Sequence, residues 1–132
     1  MSYLKKYYSL LQIKDYLLAK KIATRCGVKS AFILYFYTTA ANCSLCEQES
    51  LVLSTLRAKY PALRVYSFDY STDLSAVTSM LKIYKVKDTE LPALVLDDEL
   101  LSGFYSVDDL DAKIQKSFKL QETNPATQQT SS

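Results

Sequence analysis

The chain has 132 residues, of which 48% are hydrophobic and 23% are charged, and its formal net charge is +2. This length suits one domain with a well-buried core and is short for two. Without His or Trp, and with two Gly and three Pro, the composition excludes collagen-like and low-complexity chains, His-rich metal sites and Ser/His/Asp triads. The basic charge is confined to residues 1–30, which carry seven Lys or Arg against one Asp.

The first predicted element is an amphipathic helix over Tyr3–Arg25, followed by Gly27 as its C-cap. Three roles for this helix are open: packing on its own domain, a coiled-coil dimer seam, or an interfacial membrane helix. Cys26, beside the cap, is interpreted as a small semi-buried hydrophobe and not as a reactive thiol. The apolar stripe, with lysines between its members, consists of Leu4, Tyr7, Tyr8, Leu11, Tyr16, Leu18 and Ile22.

A buried strand and a cysteine pair follow. The apolar run Phe32–Tyr37 predicts the strand, and a Cys-Ser-Leu-Cys segment, 43–46, then opens a helix that runs toward Lys59. Two intervening residues within one helical turn bring two sulfurs into bonding range. The free N–H groups and positive dipole end of a helix favour the thiolate. The sequence therefore predicts a dithiol/disulfide site at Cys43 and Cys46.

A second strand and a third helix complete the next unit. Pro61 ends the preceding helix, and Leu63–Asp69 alternates as a strand does. A helix is predicted over Asp73–Tyr84, with Ser71 or Thr72 as its N-cap.

A hairpin and a last helix follow. Pro92 precedes the strand Ala93–Leu96, and residues 97–99 form the turn into a returning strand over Leu100–Phe104. Gly103 suggests a bulge in the returning strand. The segment 106–109, Ser-x-x-Asp, resembles a capping box that opens a helix through residue 118. The polar residues 120–132 are expected to be a disordered tail.

The predicted order is helix, strand, helix, strand, helix, strand, strand, helix. This order gives an α/β fold with a mixed central sheet flanked by helices. Residues 32–118 resemble the thioredoxin superfamily in three features: the Cys-x-x-Cys pair at a strand-to-helix junction, Leu91-Pro92 ahead of the hairpin, and Gly103 before the final helix. The resemblance implies a thioredoxin-like domain over 28–119, preceded by an N-terminal helix over 1–27.

The resemblance also implies a site. Cys43 would be the exposed nucleophile with a lowered pKa that attacks a substrate disulfide, and Cys46 would resolve the mixed disulfide. A cis Leu91–Pro92 bond would lie beside Cys43. The substrate groove would be formed by Asn42, Ser44, Leu45, Leu91 and Pro92. No cofactor is expected, and the partner would be a protein that carries a disulfide or a dithiol.

The motif departs from that of thioredoxins. Asn42 stands where they carry Trp, and Ser44-Leu45 replaces their Gly-Pro. Thioredoxins also bury an acid in the preceding strand, whereas residues 32–39 are uncharged. The nearest carboxylate is Glu47, which is interpreted as a helix-dipole residue. Because the dipeptide between the cysteines tunes the redox potential, the direction of electron flow is not predicted.

Two other functions compete with thiol–disulfide exchange. The pair could be a structural disulfide in a non-catalytic interaction module, with residues 3–25 as a dimer contact or membrane tether. It could also bind metal with Cys26 as a third ligand, although structural zinc takes four Cys or His ligands. Nucleic-acid binding is not expected, because the lysines of the first helix are the only basic cluster.

The compartment is open as well. No stretch has the ~18 apolar residues that span a membrane, and no secretion signal follows Met1. The sequence as written indicates a cytoplasmic protein. An anchor ahead of this segment would instead indicate an extracytoplasmic, membrane-anchored protein.

Overall fold

The computed structural model describes residues 2–39 and 41–122. The sheet order is β2-β1-β3-β4, with β1 and β2 parallel and the other two pairs antiparallel. The predicted α/β fold with a mixed sheet is confirmed. The elements in chain order are α1 (Ser2–Cys26), β1 (Ala31–Tyr37), α2 (Cys46–Lys59), β2 (Leu63–Asp69), α3 (Ser75–Ile83), a 3-10 turn (Asp88–Glu90), β3 (Ala93–Leu96), β4 (Glu99–Ser102) and α4 (Val107–Glu122).

Strand β1 is the centre of the core, because helices cover both of its faces. Alternate side chains of a strand point to opposite faces. Ile33 and Tyr35 pack in the core layer that contains α2 and α4, whereas Leu34 and Phe36 pack in the layer that contains α1 and α3. This double burial explains the continuous apolar run of β1 and fixes where the strand ends, next to the cysteine loop.

The start of α3 differs from the prediction. The helix begins at Ser75, its N-cap is Leu74, and no side chain caps it. Ser71 is instead bound to Asp69, whose Oδ1 accepts from the Ser71 backbone N–H at 2.9 Å and from its hydroxyl at 2.8 Å. The predicted capping by Ser71 or Thr72 is therefore wrong, because the Ser71 hydroxyl is bound to Asp69 at the end of β2.

The hairpin between β3 and β4 is tighter than predicted. Asp97 and Asp98 both have positive φ, 47° and 73°, as a two-residue type I′ turn requires. Glu99 consequently belongs to β4 and pairs with Leu96. Gly103 lies just past the end of β4, with φ 80°, so it marks the exit from the strand and not a bulge within it.

The predicted helix ends at Gly27 and Ser106 are confirmed. Gly27 has φ 66°, the left-handed conformation of a C-cap. The Ser106 hydroxyl oxygen accepts from the backbone N–H of Asp109 at 3.2 Å. Helix α4 continues to Glu122, and the remainder of the predicted tail lies outside the described residues.

Helix α1 packs on its own domain, against β2, but Tyr16 is the only member of the predicted apolar stripe that is buried. β2 is an edge strand, and its outer backbone groups need partners. The Gln12 side-chain amide donates to the Ser67 carbonyl at 3.0 Å and accepts from the Ser67 N–H at 2.8 Å. Polar side chains therefore point inward, and most of the apolar stripe is exposed.

Two further polar pairs join α1 to β2. The Tyr66 hydroxyl donates to Asp15 Oδ2 at 2.6 Å, and Lys5 Nζ lies 2.7 Å from Asp69 Oδ2. Tyr16 is the main apolar anchor, since it is buried against the α1/α3 side of the core. In the described part of the chain, no helix is long and apolar enough to cross a membrane.

Candidate dithiol site

Cys43 and Cys46 form a disulfide, with their Cα atoms 5.5 Å apart. The pair lies between the end of β1 and the start of α2. The sequence suggested that Cys43 lies within the first turn of the helix. Helix α2 instead begins at Cys46, so Cys43 lies in the turn that precedes it. The Cys46 N–H donates to the Cys43 carbonyl at 3.5 Å. This contact keeps the turn closed onto the helix.

Both cysteines are buried in the disulfide form. Cys43 is 6% exposed and Cys46 is 5% exposed, so the predicted exposure of Cys43 is wrong for this oxidised state. Cys43, in the turn, and Cys46, at the start of α2, both point inward. The two residues between them, Ser44 and Leu45, face solvent, as does Asn42 ahead of the pair. The chain around the disulfide is therefore accessible to solvent and to a binding protein, whereas the sulfurs lie beneath it.

The two predicted groove residues that precede β3, Leu91 and Pro92, lie deeper. The Leu91–Pro92 peptide bond is cis. Ala93 pairs with Phe36 near the end of β1, so Pro92 falls level with the point where the cysteine loop begins. Pro92 is fully buried, and Leu91 is half-buried against the α1/α3 side of the core. The five predicted groove residues thus divide into three exposed ones beside the cysteines and two inner ones.

A buried tyrosine holds the first turn of α2. The Tyr35 hydroxyl donates to the Cys46 carbonyl at 2.5 Å and accepts from the Ser50 hydroxyl at 3.2 Å. Burial raises the pKa of Tyr35 above its ordinary value of 10.0, so the phenol is neutral and donates. Strand β1 thereby fixes the backbone of Cys46 directly.

The sequence reasoning missed Glu49, a carboxyl with no exposed surface. Glu49 is one helical turn after Cys46 on the buried side of α2. Its Oε1 accepts from the backbone N–H of Tyr105 at 2.8 Å, whereas Oε2 has no hydrogen-bond partner among the described residues. Burial raises the pKa of Glu49 from 4.5 to about 7, and the bond from Tyr105 opposes the rise.

A signal in the sequence could have located this carboxyl. The buried side of α2 consists of Cys46, Glu49, Val52, Leu53 and Leu56, which recur at the three- and four-residue steps of one helix face. Glu49 falls on that face, whereas Glu47 does not and is exposed. In thioredoxins the buried acid lies in the preceding strand, whereas here the buried carboxyl lies on α2.

Cys26 is far from the pair. It is exposed, so its prediction as a semi-buried hydrophobe is wrong. It lies just before the start of β1, whereas Cys43 follows the end of that seven-residue strand, a separation of ~20 Å along the sheet. The described residues contain no group of three or more His, Cys, Asp or Glu side chains that could hold a metal ion.

Known structures resemble this chain in fold. No protein-family model and no curated protein matches the sequence. A malarial protein matches with TM-score 0.55 at 23% identity, over 67% of this chain and 98% of that one. Thioredoxin-2, a component of the malaria parasite protein secretion machinery, matches with TM-score 0.54 at 24% identity, over 66% and 82%. Oxidised mitochondrial thioredoxin 3 from Saccharomyces cerevisiae matches with TM-score 0.50 at 20% identity, over 74% and 89%. At these identities the likeness concerns architecture, and this chain has the thioredoxin fold.

Proposed function

We propose that this protein is a thiol–disulfide oxidoreductase that exchanges electrons with protein disulfides through Cys43 and Cys46. The observation that carries the proposal is the disulfide between these two residues, which closes a two-residue gap at the start of α2. The thioredoxin fold and the exposed peptide around the pair support it. Both directions of electron flow are compatible with these features.

The chemistry needs only the two thiols. In the reducing direction, the Cys43 thiolate attacks one sulfur of a substrate disulfide, forms a mixed disulfide and releases one substrate thiolate. The Cys46 thiolate then attacks the Cys43 sulfur, restores the Cys43–Cys46 disulfide and releases the second substrate thiolate. Two electrons pass to the substrate. The oxidising direction reverses these steps.

We assign the two roles from the positions of the cysteines. Cys43 lies in the turn outside α2, next to the exposed residues that a partner would meet. Cys46 is the first residue of α2, and its carbonyl is held by Tyr35. A fixed position suits the resolving thiol, because it must attack Cys43 and not the substrate.

Glu49 is our candidate proton acceptor for Cys46. A resolving thiol must lose its proton before it attacks, and an efficient base has a pKa near the working pH. Glu49 has a pKa of about 7 and shares the buried face of α2 with Cys46. Its Oε2, which has no hydrogen-bond partner in the part of the chain that the structure describes, can hold the proton.

Trapping the mixed disulfide tests the two cysteine roles. The reduced full chain and three variants, Cys43→Ser, Cys46→Ser and Cys26→Ser, are mixed with a disulfide-bonded protein and resolved on a non-reducing gel. Cys46→Ser should accumulate a covalent complex joined through Cys43, and Cys43→Ser should form none. The matched control, Cys26→Ser, should turn over like the parent. Failure of the parent disulfide to exchange with glutathione without unfolding would refute the proposal.

The reduction potential gives the direction. Alkylation and mass spectrometry across a dithiothreitol or glutathione series measure it for the Cys43/Cys46 pair. A value near ~−270 mV is that of a reductant, whereas one near ~−120 mV is that of an oxidant.

The burial of both cysteines favours a second candidate, a structural disulfide in an interaction module. A disulfide that is 5–6% exposed can persist because reductants do not reach it. The glutathione exchange experiment separates the candidates, since a structural disulfide would exchange with glutathione only as fast as the protein unfolds.

A further inference from the structure

Helix α1 carries a broad apolar surface that the domain does not cover. We call its exposed large side chains the outer face. Their exposed fractions range from 40% at Leu10 to 80% at Tyr3. The outer face consists of Tyr3, Leu4, Tyr7, Tyr8, Leu10, Leu11, Leu17, Leu18 and Ile22.

The outer face is wide as well as long. At 100° per residue its members cover about half of the helix circumference, and residues 3–22 extend over ~30 Å. The seam of a coiled coil is narrower, since only two positions in seven form it. The opposite side of α1 is already occupied, because Ser9 and Tyr16 are buried and Gln12 binds the edge of β2.

The outer face is also cationic. Lys14, Lys21 and Arg25 lie on this exposed side of α1, and none of them forms an ion pair within the described residues. The single acid of α1, Asp15, accepts the hydroxyl of Tyr66. Asp15 is itself exposed, so this side of α1 carries three cations against one acid. A surface that is both apolar and net basic complements an anionic one.

We propose that the outer face of α1 lies flat on an anionic lipid bilayer. Its leucines and tyrosines would enter the boundary between headgroups and acyl chains, where Tyr is favoured. Its lysines and arginine would meet the anionic headgroups. A second copy fits less well, because two outer faces in contact would bring together surfaces that each carry a net positive charge. This proposal is independent of the redox function.

Vesicle flotation with the oxidised full chain tests the proposal. Vesicles of phosphatidylcholine alone are compared with vesicles in which part of this lipid is replaced by phosphatidylglycerol. Two variants separate the apolar contribution from the electrostatic one. Leu4→Gln/Leu11→Gln/Leu18→Gln removes apolar side chains, and Lys14→Gln/Lys21→Gln removes positive charges. The matched control, Leu51→Gln/Ile83→Gln, changes side chains that are 65% and 69% exposed on other helices. Circular dichroism checks that each variant is folded.

The parent and the control should float with the anionic vesicles and not with the neutral ones. The lysine variant should bind ~30-fold more weakly, since each basic residue contributes to attraction at an anionic surface, and the leucine variant should lose binding. Absence of flotation by the parent, or flotation that neither variant weakens, would overturn the proposal. A dimer seen by light scattering, lost in the leucine variant and accompanied by no flotation, would identify a second copy as the occupant instead.

Discussion

Helices α1 and α2 depart from the usual apolar-inside pattern in opposite ways. Helix α2 buries a carboxyl, Glu49, among apolar side chains, whereas α1 turns Gln12 and Asp15 toward the sheet and leaves leucines in water. Each departure has a polar partner elsewhere in the chain: for Glu49 it is the N–H of Tyr105, between β4 and α4, and for α1 it is the edge of β2. Backbone groups that need hydrogen bonds can therefore decide which face of a helix points inward.

The largest expected effect concerns Glu49 and the pH dependence of stability. Its folded pKa, about 7, lies above the ordinary 4.5, so the folded state binds the proton more tightly than the unfolded state. Its contribution to the free energy of unfolding is complete below pH 4.5 and is lost as the pH rises to about 7. The loss is roughly 3 kcal/mol.

Glu49→Gln should remove this dependence, because the amide does not ionise and its oxygen can still accept from Tyr105. In urea unfolding of the oxidised protein, the free energy of unfolding of the variant minus that of the parent should rise by roughly 3 kcal/mol between pH 4.5 and pH 8. Glu47→Gln, which changes an exposed residue of the same helix, is the control. An unchanged pH slope in Glu49→Gln would mean that the buried carboxyl is not the group that titrates.

Gln12 offers the corresponding test on α1. Gln12→Ala removes two hydrogen bonds to Ser67 and should lower the free energy of unfolding by about 2 kcal/mol, at roughly 1 kcal/mol per bond. It should also promote aggregation, since it frees the edge of β2. Gln48→Ala, at an exposed position of α2, is the control in urea unfolding. Equal stability losses in the two variants would show that Gln12 does not hold α1 on the sheet.

Helix α4 begins with an ordinary serine N-cap, so the loss of this cap gives a reference value with which the stability effects at α1 and α2 can be compared. Ser106→Ala removes the hydroxyl that accepts from the Asp109 N–H and should cost about 1 kcal/mol. Ser106→Asp, which retains a capping oxygen, should restore most of the loss in the same urea measurement. A loss that Asp does not recover would assign another role to Ser106.

The sequence predicted the features that depend on neighbours along the chain. The apolar run of β1, the cysteine pair before α2 and Gly27 at the end of α1 are local patterns, and the structure has each of them. The order of the elements predicted the mixed α/β sheet, and the resemblance to thioredoxins depended on the cysteine pair, Leu91-Pro92 and Gly103. The two cysteines of the proposed site could also be predicted from the sequence, because their Cys-x-x-Cys spacing is a local pattern.

The features that were missed depend on distant partners. Periodicity showed that α1 has an apolar stripe, but only the unpaired edge of β2, about 55 residues away, determines that the stripe faces outward. Glu49 is likewise explained by Tyr105, 56 residues along the chain. The burial of Cys43 follows from where α2 begins, at Cys46. Such contacts between elements leave little trace in a local pattern.

The smallest expected effect is on the outer face of α1. Leu11 is 44% exposed, so Leu11→Ala should change the free energy of unfolding by less than ~0.5 kcal/mol, as surface substitutions usually do. Leu51→Ala, at an exposed position of α2, should behave alike. If a second copy covered the outer face, Leu11→Ala would cost more, and its cost would grow with protein concentration, because association stabilises the folded state by mass action. Thermal unfolding at several protein concentrations decides whether the outer face is exposed or covered by a second copy. A small effect of Leu11→Ala at every concentration would mean that the leucines of α1 have no role in folding.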